Sequence, residues 1–234
     1  MAIVVPPEMG TLERIGFSFF NLDVAARYVE PMLKGMGLTV VLGLAVIVTG
    51  IALGLALALL RSRQFRLLNA LIVIYTDIFR ALPPLVVIIV LFFAFPYVDL
   101  SMSAFTATWL ALSLVLGAFT EEIFWAGILS IPKGQWEAAR ATGLGPWGAM
   151  WHVVLPQAVR LTVPPLTNRT IAITKGTALG SVVALHEVLN VASAASSEAG
   201  NATPLIMGAV GYLILFIPFV AFGRWVETRF AWKR

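Results

Sequence analysis

The side chains of this sequence that could do chemistry are few, and most stand inside apolar stretches. Asp77 and Arg80, three apart, lie just before Pro83 and Pro84; Glu121 and Glu122 are adjacent; Thr167, Asn168, Arg169 and Lys175 interrupt a third stretch. Such groups can hold a charged or polar solute, pair with one another, or relay protons. Within a bilayer an ionisable side chain costs about 3 kcal/mol or more unless it is paired or wet, so each needs an account. Asp77 and Arg80 would share a helix face, which predicts a mutual ion pair at the proline kink, with a place on a solute pathway as the alternative. Glu121 and Glu122 call for a basic partner or a helix-end contact, against a role in translocation.

Thr167, Thr170, Thr174, Thr177 and Ser181 recur at steps of three and four and form one hydroxyl stripe. Asn168 and Lys175, seven apart, fall on another face roughly 140° away, and Arg169 lies on neither line. A helix polar on more than one side cannot face lipid there, so it is expected to be central and to line a cavity. The alternative has the hydroxyls bonded to the preceding turn and the charges snorkelling to the interface. Enzyme chemistry has less support. The chain has no cysteine, and His152 and His186 have no ligand spacing around them. No GxxxxGK[ST] phosphate loop occurs, so the chain has no such machinery for ATP hydrolysis of its own.

The elements that must carry these groups follow from composition. Of 234 residues, 59% are hydrophobic and 12% charged, about half the charge a soluble domain of this size needs to wet its surface. Residues 35–60, 101–120 and 199–223 contain no charge at all. A bilayer core of ~30 Å takes about 20 helical residues, so each block is long enough to span. The reading is an all-α polytopic membrane protein with about five transmembrane helices, near 35–60, 67–95, 103–129, 161–183 and 204–226. The second is broken by Pro83-Pro84, which removes two backbone donors. Gly50 and Gly54 form a GxxxG, a candidate seam for close helix contact. The net charge of +4 does not point to nucleic acid, because the basic residues sit at helix ends, where anionic lipid accounts for them.

Basic residues also set an expected orientation. Arg61, Arg63 and Arg66 follow the first span, Lys133, Arg140 and Arg160 the third, and Arg224, Arg229, Lys233 and Arg234 the fifth, whereas 97–101 and 187–203 have none. The N-terminus is therefore expected outside and the C-terminus in the cytoplasm. Residues 1–34 read as an extracytoplasmic tail with a candidate interfacial helix over 12–33, ahead of a transmembrane domain over 35–230. Residues 1–10 lack the basic start of a cleavable signal peptide.

The loop 130–160 is the most informative segment. Pro132 stops the third span, 135–142 is a short alanine-rich helix, and Gly143 supplies a left-handed residue to close it. Gly145-Pro146 turns the chain into a second short helix near 147–154, expected to end at Leu155-Pro156. Trp147 and Trp151, four apart, read as interfacial anchors or loop packing.

Glu137-Ala138-Ala139, three residues, Gly143, nine residues and Val153-Val154-Leu155-Pro156 together resemble the EAA coupling loop of permease subunits of ATP-binding-cassette importers. Phe79-Arg80-Ala81-Leu82-Pro83 is similar to a segment of the polar amino acid permeases of that group (the histidine, glutamine and arginine type). So are Glu122-Ile123, Ile131-Pro132-Lys133-Gly134-Gln135, Pro156-Gln157-Ala158, Pro165, Asn168 and Lys175-Gly176-Thr177-Ala178-Leu179. Trp125, Gly176 and Ala178 depart from the usual residues. The resemblance implies a type I importer permease fold in a bacterial inner membrane. It implies as partners a second permease subunit (homodimer or heterodimer), two cytoplasmic ATPase subunits and an extracytoplasmic solute-binding protein. ATP and Mg would sit on the ATPases, with no cofactor on this chain. It places Glu137, Ala138, Ala139, Gly143 and Leu144 at the ATPase contact, and it implies a polar amino acid or related small amine or carboxylate as solute.

Candidates for the solute pathway are Asp77, Arg80, Glu122, Thr167, Asn168, Arg169 and Lys175. Arg169 follows Asn168, where basic-amino-acid permeases of this kind often carry glutamate, so it suits a carboxylate. A pair with Glu121, Glu122 or Asp77, or a contact with the partner subunit, is its alternative. An ion-gradient-driven secondary transporter or channel is the alternative function; five spans are few for one, and no inverted repeat is visible.

Overall fold

The structure, a computed structural model, describes residues 10–230; Lys233, Arg234 and the N-terminal segment 1–9 lie outside the described residues. Helices dominate, and there is no strand among the described residues. The first helices are α1 (Thr11–Phe19) and α2 (Leu22–Arg61). At 40 residues α2 is about twice what a bilayer requires. The expected boundary near residue 35 is therefore not a break. The helix starts at Leu22 because Asn21 accepts the amides of Asp23 and Val24 at 3.1 and 3.2 Å and so provides its cap. Pro31 is carried inside it.

α3 (Arg66–Ala81) and α4 (Pro84–Ile89) form the broken second span. Leu82, held extended at φ −78° and ψ 130° as a residue before proline must be, ends the first piece. Pro84 then starts the next at a position where its missing N–H is not needed. The chain bends by 103° there. A π turn over Val90–Ala94 and a 3-10 turn over Phe95–Val98 finish α4, and α5 (Ala104–Leu129) follows. The Ser103 hydroxyl caps α5 by accepting the Thr106 amide at 3.0 Å.

α6 (Lys133–Ala141) and α7 (Pro146–Ala149) build the loop, and a π turn over Met150–Val154 carries the chain into α8 (Leu155–Thr174) without a break. The second loop helix was expected to stop at Leu155-Pro156. The wider π turn immediately before Pro156 takes up its missing donor and the bulk of its ring, so the helix continues. Beyond Thr174 the helix tightens into nine residues of 3-10 helix, Lys175–Val183. Ala184, at φ 56°, ends that run. α9 (Val188–Ala199) lies between the expected fourth and fifth spans, where no helix is expected from the sequence, and α10 (Thr203–Phe230) is the last span. Among the described residues three helices are long and apolar enough to cross a membrane alone, and up to five crossings result if each of two bent pairs counts as one.

The chain packs as two compact units. One contains residues 10–45, 88–109 and 175–219, the other 46–87, 110–174 and 220–230. In the first, Met32, Val188 and Ala192 form a buried cluster, and Val24, Tyr28, Ala195 and Ala199 another. In the second, Ala58, Phe124, Ile128, Ile131, Met150, Val154, Leu155 and Ala158 form a buried cluster. The Gly50/Gly54 seam is real: a Cβ on Gly50 would stand 2.8 Å from Leu116, and one on Gly54 would overlap Thr120 and the Glu121 amide. The fully buried Ala58 lies one turn further along that face, and Arg61 follows it. The glycines thus bring α2 close enough to α5 to set Arg61 beside Glu121.

Candidate functional site

In the second unit the charged side chains of α2, α3, α5 and α8 converge. Glu121 is fully buried, and the Arg61 guanidinium donates to both its oxygens, at 3.0 and 3.3 Å. Arg61 also lies over the Trp125 ring, 4.8 Å from its centre. Burial of a charge without a partner would cost several kcal/mol, so this pair behaves as one structural element. Glu122, a helical step of about 100° round α5, is half-buried and pairs with Arg80 at 2.8 Å. The expected Asp77–Arg80 pair does not form. Asp77 is exposed and makes no ion pair among the described residues, because Arg80 reaches across to α5 instead of along its own helix.

Arg169 makes no ion pair among the described residues either. Glu121 and Glu122 are taken by Arg61 and Arg80, and the Arg169 guanidinium stacks on Phe119, 3.8 Å from the ring centre. Arg80 approaches the same ring at 5.7 Å. Cation–π contact orients a guanidinium without neutralising it. Beside these groups a cavity of about 410 Å³ is lined by Glu122, Ser130, Thr162 and Pro165, with Gly127 on its wall. Gly127 has no room for a Cβ because the Thr162 methyl fills that place, so α5 and α8 touch there.

The hydroxyl stripe is largely packed inside, with hydroxyls bonded to the preceding turn, as one of the two readings of the periodicity has it. Thr170, Thr174 and Thr177 are buried; Thr174 donates to the Thr170 carbonyl at 2.7 Å and Ser181 to that of Ala178 at 2.8 Å. Thr167 is half-buried against Gly223. The exposed line of α8 and its continuation is instead Leu161, Pro165, Asn168, Ala172 and Lys175, at steps of four, three, four and three.

The loop is built as its spacing implied at the decisive turn. Gly143 has φ +86°, its amide donates to Arg140 O at 3.0 Å, and the Leu144 amide donates to Ala139 O at 3.3 Å, which closes α6 with a Schellman motif. Glu137 and Ala138 are exposed, whereas Ala139 is buried at 5% and turns inward, so only the first alanine is open to a partner. Leu144 is half-buried and folds over Gly148. Trp136 packs on the Met150–Val154 core, and the Gln157 amide donates to the Gln135 side chain at 3.2 Å.

The matching sequence family is the binding-protein-dependent transport system inner membrane component, over residues 50–232. The chain belongs to this family. It is a membrane-spanning permease subunit of an ATP-binding-cassette importer, which removes the independent secondary carrier as a reading. It is 34% identical over 170 residues to the probable amino-acid ABC transporter permease protein YckA of Bacillus subtilis, covering 73% of this chain and 75% of that one. It is 32% identical over 214 residues to the arginine transport system permease protein ArtQ of the same organism, covering 89% and 97%. A crystal structure of an amino acid ABC transporter with histidines superposes with a TM-score of 0.80 at 27% identity, over 88% of this chain and 96% of that one. An inward-facing structure of the MetNI methionine ABC transporter shares the fold, with a TM-score of 0.63 at 23% identity over 86% and 95%.

Sequence reasoning missed Glu187, in the other unit. It is fully buried, caps α9 by accepting the Leu189 and Asn190 amides at 3.0 and 2.8 Å, and accepts the Tyr212 hydroxyl at 2.5 Å. The Val188 amide next to it donates to Thr39 Oγ1 at 3.3 Å. The available signal was local. An acidic residue before an alanine-rich run that ends at Gly200 is a capped helix written in sequence.

Proposed function

We propose that this permease imports a polar amino acid or related small solute that presents a carboxylate, in an assembly with a second permease subunit, two ATPase subunits and a solute-binding protein. The observation that carries the reading is the open face of α8 and of the 3-10 segment that continues it, where Asn168 and Lys175 are exposed. A lysine and an amide at that place cannot face lipid without a cost of several kcal/mol, so a second permease or the aqueous solute pathway covers them. The relatives' names support amino acids as the class. Arg169, fixed on Phe119 and lacking a carboxylate among the described residues, is a guanidinium ready to take one. Two-point hydrogen bonding to a carboxylate would both hold and orient the solute.

In this reading α6 docks on the ATPase through Glu137 and Ala138, while Gly143 and Leu144 hold its end in place. ATP and Mg are bound by the ATPase. The basic end of the spans is cytoplasmic and the N-terminus outside. Because the chain has no native cysteine, single cysteines report sidedness directly. Tyr97→Cys, at a residue 90% exposed, should be labelled by an impermeant maleimide from outside, and Arg63→Cys only after lysis. The reverse pattern inverts the topology. For the solute, uptake by the reconstituted assembly should require ATP. Arg169→Glu should reduce uptake of an acidic or zwitterionic amino acid far more than Arg169→Lys. Efficient carriage of arginine by the native protein, or unchanged uptake in Arg169→Glu, would refute the carboxylate grip.

A further inference from the structure

A second basic site in the unit that holds the coupling loop is not part of the ion-pair cluster. The turn after α2 and the segments α6 and α7 enclose a pocket of about 680 Å³ whose walls include Arg63, Phe65, Trp136, Arg140 and Trp147. No acidic residue lines it. Neither 46–76 nor 138–160, the stretches that supply most of its wall, contains an aspartate or glutamate. Arg61 nearby is committed to Glu121, but Arg63 and Arg140 make no ion pair among the described residues. Arg63 is laid over the Trp147 ring, 4.7 Å from its centre. The turn that presents it is closed by amide donations from Arg63 to Leu60 O and from Gln64 to Arg61 O, both 3.1 Å, with Gln64 in the left-handed region at φ 58°.

We propose that this pocket binds the phosphate headgroup of an anionic membrane lipid. The two guanidinia supply the charge and the paired donors that a phosphodiester accepts. The second half of the argument is the surface beside them. Phe65 is 62% exposed, Leu67 77%, Trp147 40% and Trp151 51%. A soluble phosphate would leave that apolar rim in water, whereas the glycerol and upper acyl chains of a lipid cover it. Tryptophan next to arginine at the end of a span is also the composition that the bilayer interface favours. Glu137 and Ala138 are absent from the lining, so occupation by lipid leaves the proposed ATPase-docking residues open.

Native mass spectrometry of the assembled transporter, titrated with phosphatidylglycerol, phosphatidylcholine or inorganic phosphate, tests this. Phosphatidylglycerol should remain bound under activation that strips phosphatidylcholine. Arg63→Gln with Arg140→Gln should lower its retention by about thirtyfold, since each basic residue near a charged headgroup contributes roughly 1 kcal/mol and about 1.4 kcal/mol is a factor of ten. Arg63→Lys with Arg140→Lys should restore most of it, which separates charge from misfolding. Arg224→Gln with Arg229→Gln, at the end of α10, should retain the lipid. Undiminished retention in the glutamine pair, or an equal loss in the α10 pair, overturns the site. Inorganic phosphate displacing the lipid at equal concentration would show a phosphate site with no use for the apolar rim, and would overturn the lipid as its occupant.

Discussion

Two helical runs, α6 and the 3-10 segment ahead of α9, end by the same hydrogen-bond pattern but use different residues. After α6 the left-handed position is Gly143, and the amides of residues 143 and 144 return to the carbonyls of 140 and 139. After the 3-10 run it is Ala184, and the amides of 184 and 185 return to the carbonyls of 181 and 180 at 3.1 and 3.0 Å. Alanine in that conformation costs about 1 kcal/mol more than glycine. The neighbouring carboxylates contrast as well. Glu187 is fully buried, with three donors from its own unit, whereas Glu137 is exposed and has no hydrogen-bond partner among the described residues. A carboxylate saturated by its own chain builds the fold. One left open on a well-terminated helix is available to another molecule.

The largest effect should come from removing the saturated carboxylate. Glu187→Ala leaves the Tyr212 hydroxyl and the Leu189 and Asn190 amides without their acceptor in a dry site. It should therefore destabilise the chain by about 3 kcal/mol, read as a lower unfolding temperature in detergent. A shift no larger than that of an exposed substitution would end the contrast. Gly143→Leu comes next: about 1–2 kcal/mol of backbone strain at the end of α6, with uptake lost while ATP turnover by the assembly continues. Glu137→Lys should leave the unfolding temperature within about 0.5 kcal/mol of native, as for other exposed sites, yet uncouple uptake from turnover. Normal coupling there would show that the open carboxylate has no partner. The smallest effect is a gain. Ala184→Gly relieves the left-handed alanine and should raise stability by about 0.5 kcal/mol, since glycine's extra freedom when unfolded offsets part of the relief. A loss of stability would place the strain elsewhere.

The apolar blocks were legible because span length is a property of local sequence, and so was the Gly143 turn, whose spacing admits few backbones. What failed was non-local or outweighed. The pairing a helix makes visible for Arg80 is Asp77, three residues away; its actual partner, Glu122, is 42 residues distant. Pro156 reads as a stop because a proline inside a helix normally is one, and the preceding π turn removes the reason. α9 was missed because its buried face is Val188, Ala192, Ala195 and Ala199, side chains too small to give a strong amphipathic signal. Of the solute-pathway candidates, the structure brings together Arg80, Glu122 and Arg169 around Phe119 and leaves Asp77, Asn168 and Lys175 on exposed surface.

The 3-10 segment Lys175–Val183 is a store of length. Its nine residues rise by about 2.0 Å each, against about 1.5 Å in an α-helix, so rewinding them would shorten the segment by roughly 4 Å and turn its far end about its axis. Runs of more than three or four such residues are uncommon, because the hydrogen bonds are poorer, so the tight form is held by its surroundings. Two of those holds are visible. The Asn190 side chain donates to Ser181 O at 3.4 Å, and Gly180 sits where a Cβ would come within 3.1 Å of Thr108 on α5. Release of the first would let the far end travel while the second keeps it against its neighbour, which is the action of a wound spring on a fixed seat.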